Sequence, residues 1–220
     1  MTPFYKADGI TIWCADNREV LPTLGRFDLL LTDPPYGINR DRGMGGGGVD
    51  GFGTSKKRNP KKYDGEWDKE PAHADMLELA LSICRTQIVW GGNYFTDTLP
   101  QQPKWLIWDK QQTMPSYSDA ELAWTNLNGN SVKMFRYCGS GLMANEKSRV
   151  HPTQKPVSLM SWCLSLAGES IRTILDPWMG SGTTLVAAKL RGLEATGIEI
   201  SEDYCKLAVE RLRQGVLIPA

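Results

Sequence analysis

Thr173-Ile174-Leu175-Asp176-Pro177-Trp178-Met179-Gly180-Ser181-Gly182-Thr183-Thr184-Leu185-Val186-Ala187-Ala188-Lys189-Leu190 is the stretch that decides the fold, together with Ala195-Thr196-Gly197-Ile198-Glu199-Ile200 just after it. Residues 172–175 read as a strand, 183–190 as a helix, 195–200 as a strand and 202–213 as a closing helix. Such a βαβα run implies a parallel, doubly wound α/β sheet. The turn after the first strand then lies at the carboxyl edge, where open α/β folds bind ligands. Gly180 and Gly182 let the backbone approach a ligand where side chains would block it. No Lys followed by Ser or Thr completes a phosphate loop, and Leu185 stands where a dinucleotide fingerprint has its third glycine. What remains is a nucleoside cofactor without a pyrophosphate. Glu199 is placed to accept ribose hydroxyls and Asp176 to face a cationic group, which S-adenosylmethionine satisfies. Read singly, each feature is also consistent with a tight turn and a solvated strand end.

A second turn stands near the start of the chain. Phe27-Asp28-Leu29-Leu30-Leu31 reads as a buried strand, halted by Thr32-Asp33-Pro34-Pro35-Tyr36-Gly37. Two prolines in succession cannot continue a central ladder, so the chain leaves the sheet there. The chemistry of the turn is specific. An exocyclic base amine is a poor nucleophile because its lone pair is delocalised into the ring. A carboxylate and a fixed carbonyl that accept its two hydrogens draw that lone pair out of conjugation, and Asp33 with the Pro34 carbonyl are such acceptors. Tyr36 offers a face for stacking a base that has been flipped out of a duplex. The plainer alternative is an Asp-Pro-Pro turn with a surface tyrosine.

The rest of the chain is consistent with one α/β domain over 1–220, since 220 residues suffice for one full core and are few for two. Further strands are expected over 10–14, 87–90, 104–108 and 120–124, and helices over 72–84 and 156–166, with a short one over 17–24 interrupted by Pro22. Between Arg40 and Lys69 lie seven glycines from Gly43 to Gly53, then Lys56, Lys57, Arg58, Lys61 and Lys62. With little apolar material, that stretch reads as a mobile surface loop whose cations would contact phosphates. A solvated insertion is its bland reading.

Lys and Arg together number 25, as do Asp and Glu, so net charge alone makes no case for a nucleic-acid partner. Five scattered cysteines, Cys14, Cys84, Cys138, Cys163 and Cys205, form no zinc spacing and no disulfide framework. His73 and His151 have no metal-ligand pattern around them. No run approaches the roughly 20 apolar residues of a membrane span. The expectation is a reduced, cytoplasmic protein with no membrane partner and no metal.

Three blocks together resemble the amino-methylating DNA methyltransferases: Thr32 to Gly37, His151-Pro152-Thr153-Gln154-Lys155-Pro156, and Asp176 to Thr184. Their order, catalytic block before cofactor block, is that of the circularly permuted β-class. The resemblance implies a Rossmann-like methyltransferase fold with a mixed, mostly parallel seven-stranded sheet, and S-adenosylmethionine as cofactor. It implies Asp33, Pro34, Pro35 and Tyr36 as the catalytic tetrad. Its cofactor contacts would be Asp16, Asp33, Lys155, Pro156, Asp176, Pro177, Trp178, Gly180, Ser181, Gly182, Thr183, Thr184, Glu199 and Ile200. Trp90-Gly91-Gly92-Asn93 and Trp105-Leu106-Ile107-Trp108-Asp109-Lys110 resemble strand ends that line the target-base pocket. Asp in the first tetrad position is usual for adenine enzymes, so adenine N6 of DNA is favoured over cytosine N4. RNA methylation and a silent nucleic-acid-binding protein of the same fold are rivals. The target-recognition segment, over about 126–150, is reduced, which implies a short or relaxed site. A homodimer and a cognate restriction enzyme are the candidate protein partners.

Overall fold

In a computed structural model, the described residues are 1–37, 71–111, 118–138 and 154–214. The chain divides into two compact units, one made of Met1–Pro34 with His73–Ala220 and the other of Pro35–Ala72. The first carries the sheet. Its strands are β1 (Tyr5–Ala7), β2 (Ile10–Cys14), β3 (Phe27–Thr32), β4 (Cys84–Trp90), β5 (Trp105–Asp109), β6 (Ala120–Thr125), β7 (Lys133–Arg136), β8 (Thr173–Asp176) and β9 (Glu194–Glu199). Its helices are α1 (Asn17–Val20), α2 (Ala74–Ile83), α3 (Val157–Ala167), α4 (Thr183–Leu190) and α5 (Glu202–Arg213). After α1 a 3-10 turn, Leu21–Thr23, takes in Pro22 where a regular helix could not continue.

The sheet has nine strands in the order β1-β2-β9-β8-β3-β4-β6-β5-β7, where seven were expected. The seven are present as a contiguous block, and one short strand extends each edge. At one edge, Asp8 and Gly9 take positive φ angles of 52° and 76°, a primed turn that folds β1 back antiparallel onto β2. At the other, the four residues of β7 join β5 in parallel. From β2 to β4 every pairing is parallel, whereas β6 runs antiparallel to both β4 and β5. The sheet is thus mixed and mostly parallel.

Parallel strands are covered on both faces, which explains why Leu29, Leu30 and Leu31 are consecutive and all fully buried. α3 packs against α4 and α4 against α5, while α2 packs on β3 and β4. Ser201 caps α5 by accepting from the Tyr204 amide, with Glu202 and Asp203 in the first turn and Arg211 and Arg213 in the last. That arrangement complements the helix dipole at both ends. Of the second unit, the described residues show Tyr36 bridged to Pro71 and the Ala72 amide donating to the Pro35 carbonyl at 2.9 Å. Lys56, Lys57, Arg58, Lys61 and Lys62, with His151 to Thr153 and positions 139–150, lie outside the described residues.

Candidate active site

Four neighbouring parallel strands, β2, β9, β8 and β3, end or are followed at one edge of the sheet by Asp16, Glu199, Asp176 and Asp33. The register sets this row. Cys14 pairs with Glu199 and the Ala15 amide donates to the Glu199 carbonyl at 3.0 Å, so Asp16 emerges beside it. Asp16 caps α1, accepting from the Arg18 amide at 2.9 Å and pairing with the Arg18 guanidinium, whose hydrogen bonds hold its carboxyl below the usual range. The Asn17 amide group reaches the Pro177 carbonyl at 3.4 Å, tying α1 to the turn after β8.

That turn is built by its glycines. Gly180 and Gly182 have φ of +50° and +77°. A Cβ on Gly182 would lie 2.8 Å from the Ala208 Cβ, whereas one on Gly180 would meet nothing within 4 Å. Gly182 therefore serves close packing against α5, and Gly180 leaves backbone open. Glu199 accepts from the Gly180 amide at 3.0 Å and the Ser201 amide at 2.8 Å, and burial raises its carboxyl against those bonds. On the inner side, Arg211 of α5 donates to the Ser181 carbonyl at 2.6 Å, the Ser181 hydroxyl at 3.0 Å and the Thr183 hydroxyl at 3.1 Å. Ser181, Thr183 and Thr184 are all buried, and Ser181 and Thr183 hold the turn to α5. Trp178 is half-buried and Ile200 is 69% exposed.

Asp176 is only 3% exposed. It accepts from the Thr32 hydroxyl at 2.7 Å and more weakly from the Trp178 amide at 3.4 Å. Among the described residues no cation pairs with it. Burial pushes its carboxyl up to about 7, opposed by the hydroxyls of Thr32 and Thr184 and reinforced by the nearby charge of Asp33.

Asp33 is held differently. Its Oδ2 lies 2.5 Å from Lys155 Nζ, which also lies 2.9 Å from Glu121 Oε2, and Glu121 Oε1 lies 2.6 Å from Lys110 Nζ. The result is an alternating row, Asp33, Lys155, Glu121, Lys110. Lys155 and Lys110 are buried. The Lys155 ammonium stands 5.9 Å from the Trp90 ring and that of Lys110 5.2 Å from the Trp108 ring. Burial would raise the Glu121 carboxyl, but the charges of Lys155 and Lys110 outweigh it and bring it down to about 2. The antiparallel direction of β6 makes this possible, because it sets the start of that strand beside the ends of β4 and β5.

The structure thus brings Asp16, Asp33, Pro34, Lys155, Pro156, Asp176, Pro177, Trp178, Gly180 and Glu199 to one sheet edge within the first unit. Pro35 and Tyr36 belong to the second unit and are described there alone. Glu121, Arg211 and Asn17 escape the sequence reading, as does the role of Lys110. Glu121 carried a signal, being an acid directly at the head of the apolar run Leu122-Ala123-Trp124. Its partners lie far along the chain and carried none.

A family model described as DNA methylase matches residues 107–210. The chain is 25% identical to the Type II methyltransferase M.ScaI of Streptomyces caespitosus, over 96% of this chain and 83% of that protein. Among solved structures, the M1.HpyAVI–SAM complex superposes with a TM-score of 0.61 at 20% identity, covering 92% of this chain and 98% of that one. The cytosine-N4-specific PvuII DNA methyltransferase does so at 0.60 and 14% identity, over 95% and 88%. The sheet and flanking helices described above are the fold of those proteins.

Proposed function

We propose that this chain is a DNA methylase of the kind acting on adenine N6 or cytosine N4, and that it transfers a methyl group from S-adenosylmethionine to adenine N6 of a flipped base. The row of acids along the carboxyl edge carries the reading. A ligand bearing a sulfonium and an ammonium suits four neighbouring carboxyl groups, of which Asp176 has no cation partner among the described residues. The open backbone at Gly180 fits close approach of such a ligand. In this reading Asp176 and the 176–184 turn hold the amino-acid end, Glu199 and Ile200 the ribose and adenine, with Asp16, Lys155 and Pro156 bordering the same site.

S-adenosylmethionine supplies an electrophilic methyl group on a sulfonium. The protein's task is to make a weak nucleophile attack it. Asp33 and the Pro34 carbonyl accept the two amine hydrogens, and Pro35 fixes the chain that presents them. As the new N–C bond forms, the nitrogen becomes positive and must shed a proton. Asp33, its side chain 28% exposed, is placed to take that proton and release it to water. Tyr36 stacks on the base in this scheme.

The Asp in the first tetrad position favours adenine, while the likeness to a cytosine-N4 enzyme keeps N4 as the second reading. Purified protein, labelled cofactor and unmodified DNA decide between them when the modified bases are mapped. N6-methyladenine is expected, N4-methylcytosine would move the assignment, and no transfer would overturn it. Site mapping also tests the short recognition sequence, which methylation confined to a long site would refute. Among the described residues no helix is long and apolar enough to cross a membrane, consistent with a proposed cytoplasmic site of action on DNA. Lys56, Lys57, Arg58, Lys61 and Lys62 are proposed phosphate contacts. Neutralising all five should flatten the salt dependence of DNA binding by about 4 in log–log slope, and an unchanged slope would remove them from the interface.

A further inference from the structure

We propose that Glu121 is a positioning residue for methyl transfer, drawing the Lys155 ammonium away from Asp33 so that the Asp33 carboxylate can receive the target amine. This rests on the amine-methylation reading above. Lys155 Nζ sits between two carboxylates, nearer Asp33 Oδ2 at 2.5 Å than Glu121 Oε2 at 2.9 Å. An ammonium is three donors on a flexible stem and can turn from one acceptor to the other without moving the backbone. While it faces Asp33, it withdraws charge from the acceptor that must polarise the base.

Glu121 is fashioned as the other station. Lys110 fixes its Oε1 from the far side at 2.6 Å, and the Lys110 amide in turn donates to the Asp119 carbonyl at 2.9 Å, so the carboxylate is anchored to the β5–β6 connection. The remaining oxygen, Oε2, is buried, faces Lys155 and accepts no well-formed hydrogen bond. The Trp90 ring, 5.9 Å from Nζ, gives the ammonium a face along which to shift. A sulfonium arriving beside Asp33 would add positive charge on that side and favour the move toward Glu121. Stability alone is a poor reason for the arrangement. Buried ion pairs often do no better than well-packed apolar side chains of similar volume, yet this row ends on the catalytic carboxylate.

The test compares wild type, Glu121→Gln and Glu121→Asp by single-turnover methyl transfer to DNA at saturating cofactor, by cofactor Kd and by thermal unfolding. Glu121→Gln should lower the transfer rate about 10- to 100-fold with cofactor Kd within about twofold. Glu121→Asp keeps a charge between the two lysines, and with it the fold, but withdraws the carboxylate from Lys155, so a smaller loss of about fivefold is expected. In a Lys155→Met background the Glu121→Gln loss should vanish, since there is no ammonium left to draw away. A wild-type protein that transfers nothing to DNA overturns the amine-methylation reading and this inference with it. An active wild type whose Glu121 variants keep the full rate overturns this inference alone. So does a loss from Glu121→Gln of equal size with and without Lys155.

Discussion

Asp33 and Asp176 stand at the ends of adjacent strands, β3 and β8, and Thr32 next to the first acid donates its hydroxyl to the second. Their electrostatic settings are opposite. Asp33 is paired with a full cation, Lys155, and its side chain is 28% exposed. Asp176 is almost wholly buried and has hydroxyl and amide dipoles around it. Two carboxylates this close raise each other's cost of ionisation. The protein sets a cation beside Asp33 and leaves Asp176, pushed up to about 7, among dipoles alone. Adjacent positions at one sheet edge thus differ in their counter-charges, and under the function proposed above the first would handle the base and the second the cofactor.

The sharpest way to break this contrast is Asp33→Ala. Methyl transfer should fall at least about a hundredfold, while cofactor affinity, measured by calorimetry, stays close to wild type. Comparable activity in that variant would refute the division of labour. Asp176→Asn probes the other half through stability. The Asp176 carboxyl rises from an ordinary 3.8 to about 7 on folding, so the folded state holds its proton where the unfolded chain has lost it. Its contribution is fully present below pH 3.8 and is lost as pH climbs to about 7. That amounts to on the order of 4 kcal/mol. Denaturant midpoints from pH 4 to 8 should therefore decline in the wild type and be flatter in Asp176→Asn; parallel curves would show that the acid is ionised throughout.

The smallest effects sharpen the comparison within the turn after β8. Gly182→Ala sets a Cβ against Ala208 at a φ of +77°, and a loss of about 2 kcal/mol is expected by denaturant unfolding. Gly180→Ala has room for its methyl and should cost about 1 kcal/mol, with a larger relative loss in cofactor affinity. Equal stability losses and equal affinities would show that the two glycines do one job.

Much of this was legible in the sequence where a single element carried its own signal. Residues 10–14, 183–190 and 202–213 match their elements without adjustment, because apolar periodicity and flanking Gly, Ser and Asp marked both ends. β1 and β7 were missed. Three and four residues long, and mostly exposed, they have too few apolar positions to show a period, and the seven-stranded expectation became nine. The four acids of the sheet edge were likewise visible, each sitting at or just after a strand end in a recognisable turn. The ionic row was not, since Asp33 and Lys155 are 122 positions apart and only the antiparallel course of β6 brings Glu121 beside them. Pairings of that kind are a property of topology, and a linear pattern does not contain them.

The hydrogen bond from the Lys110 amide to the Asp119 carbonyl continues the β5–β6 ladder one step beyond the Asp109–Ala120 pair. The register that sets Glu121 opposite Trp108 is therefore fixed by main-chain bonds, which any side chain can make. Substitutions along these two strands can change what the sheet edge presents while leaving the Lys110–Glu121 pair in place.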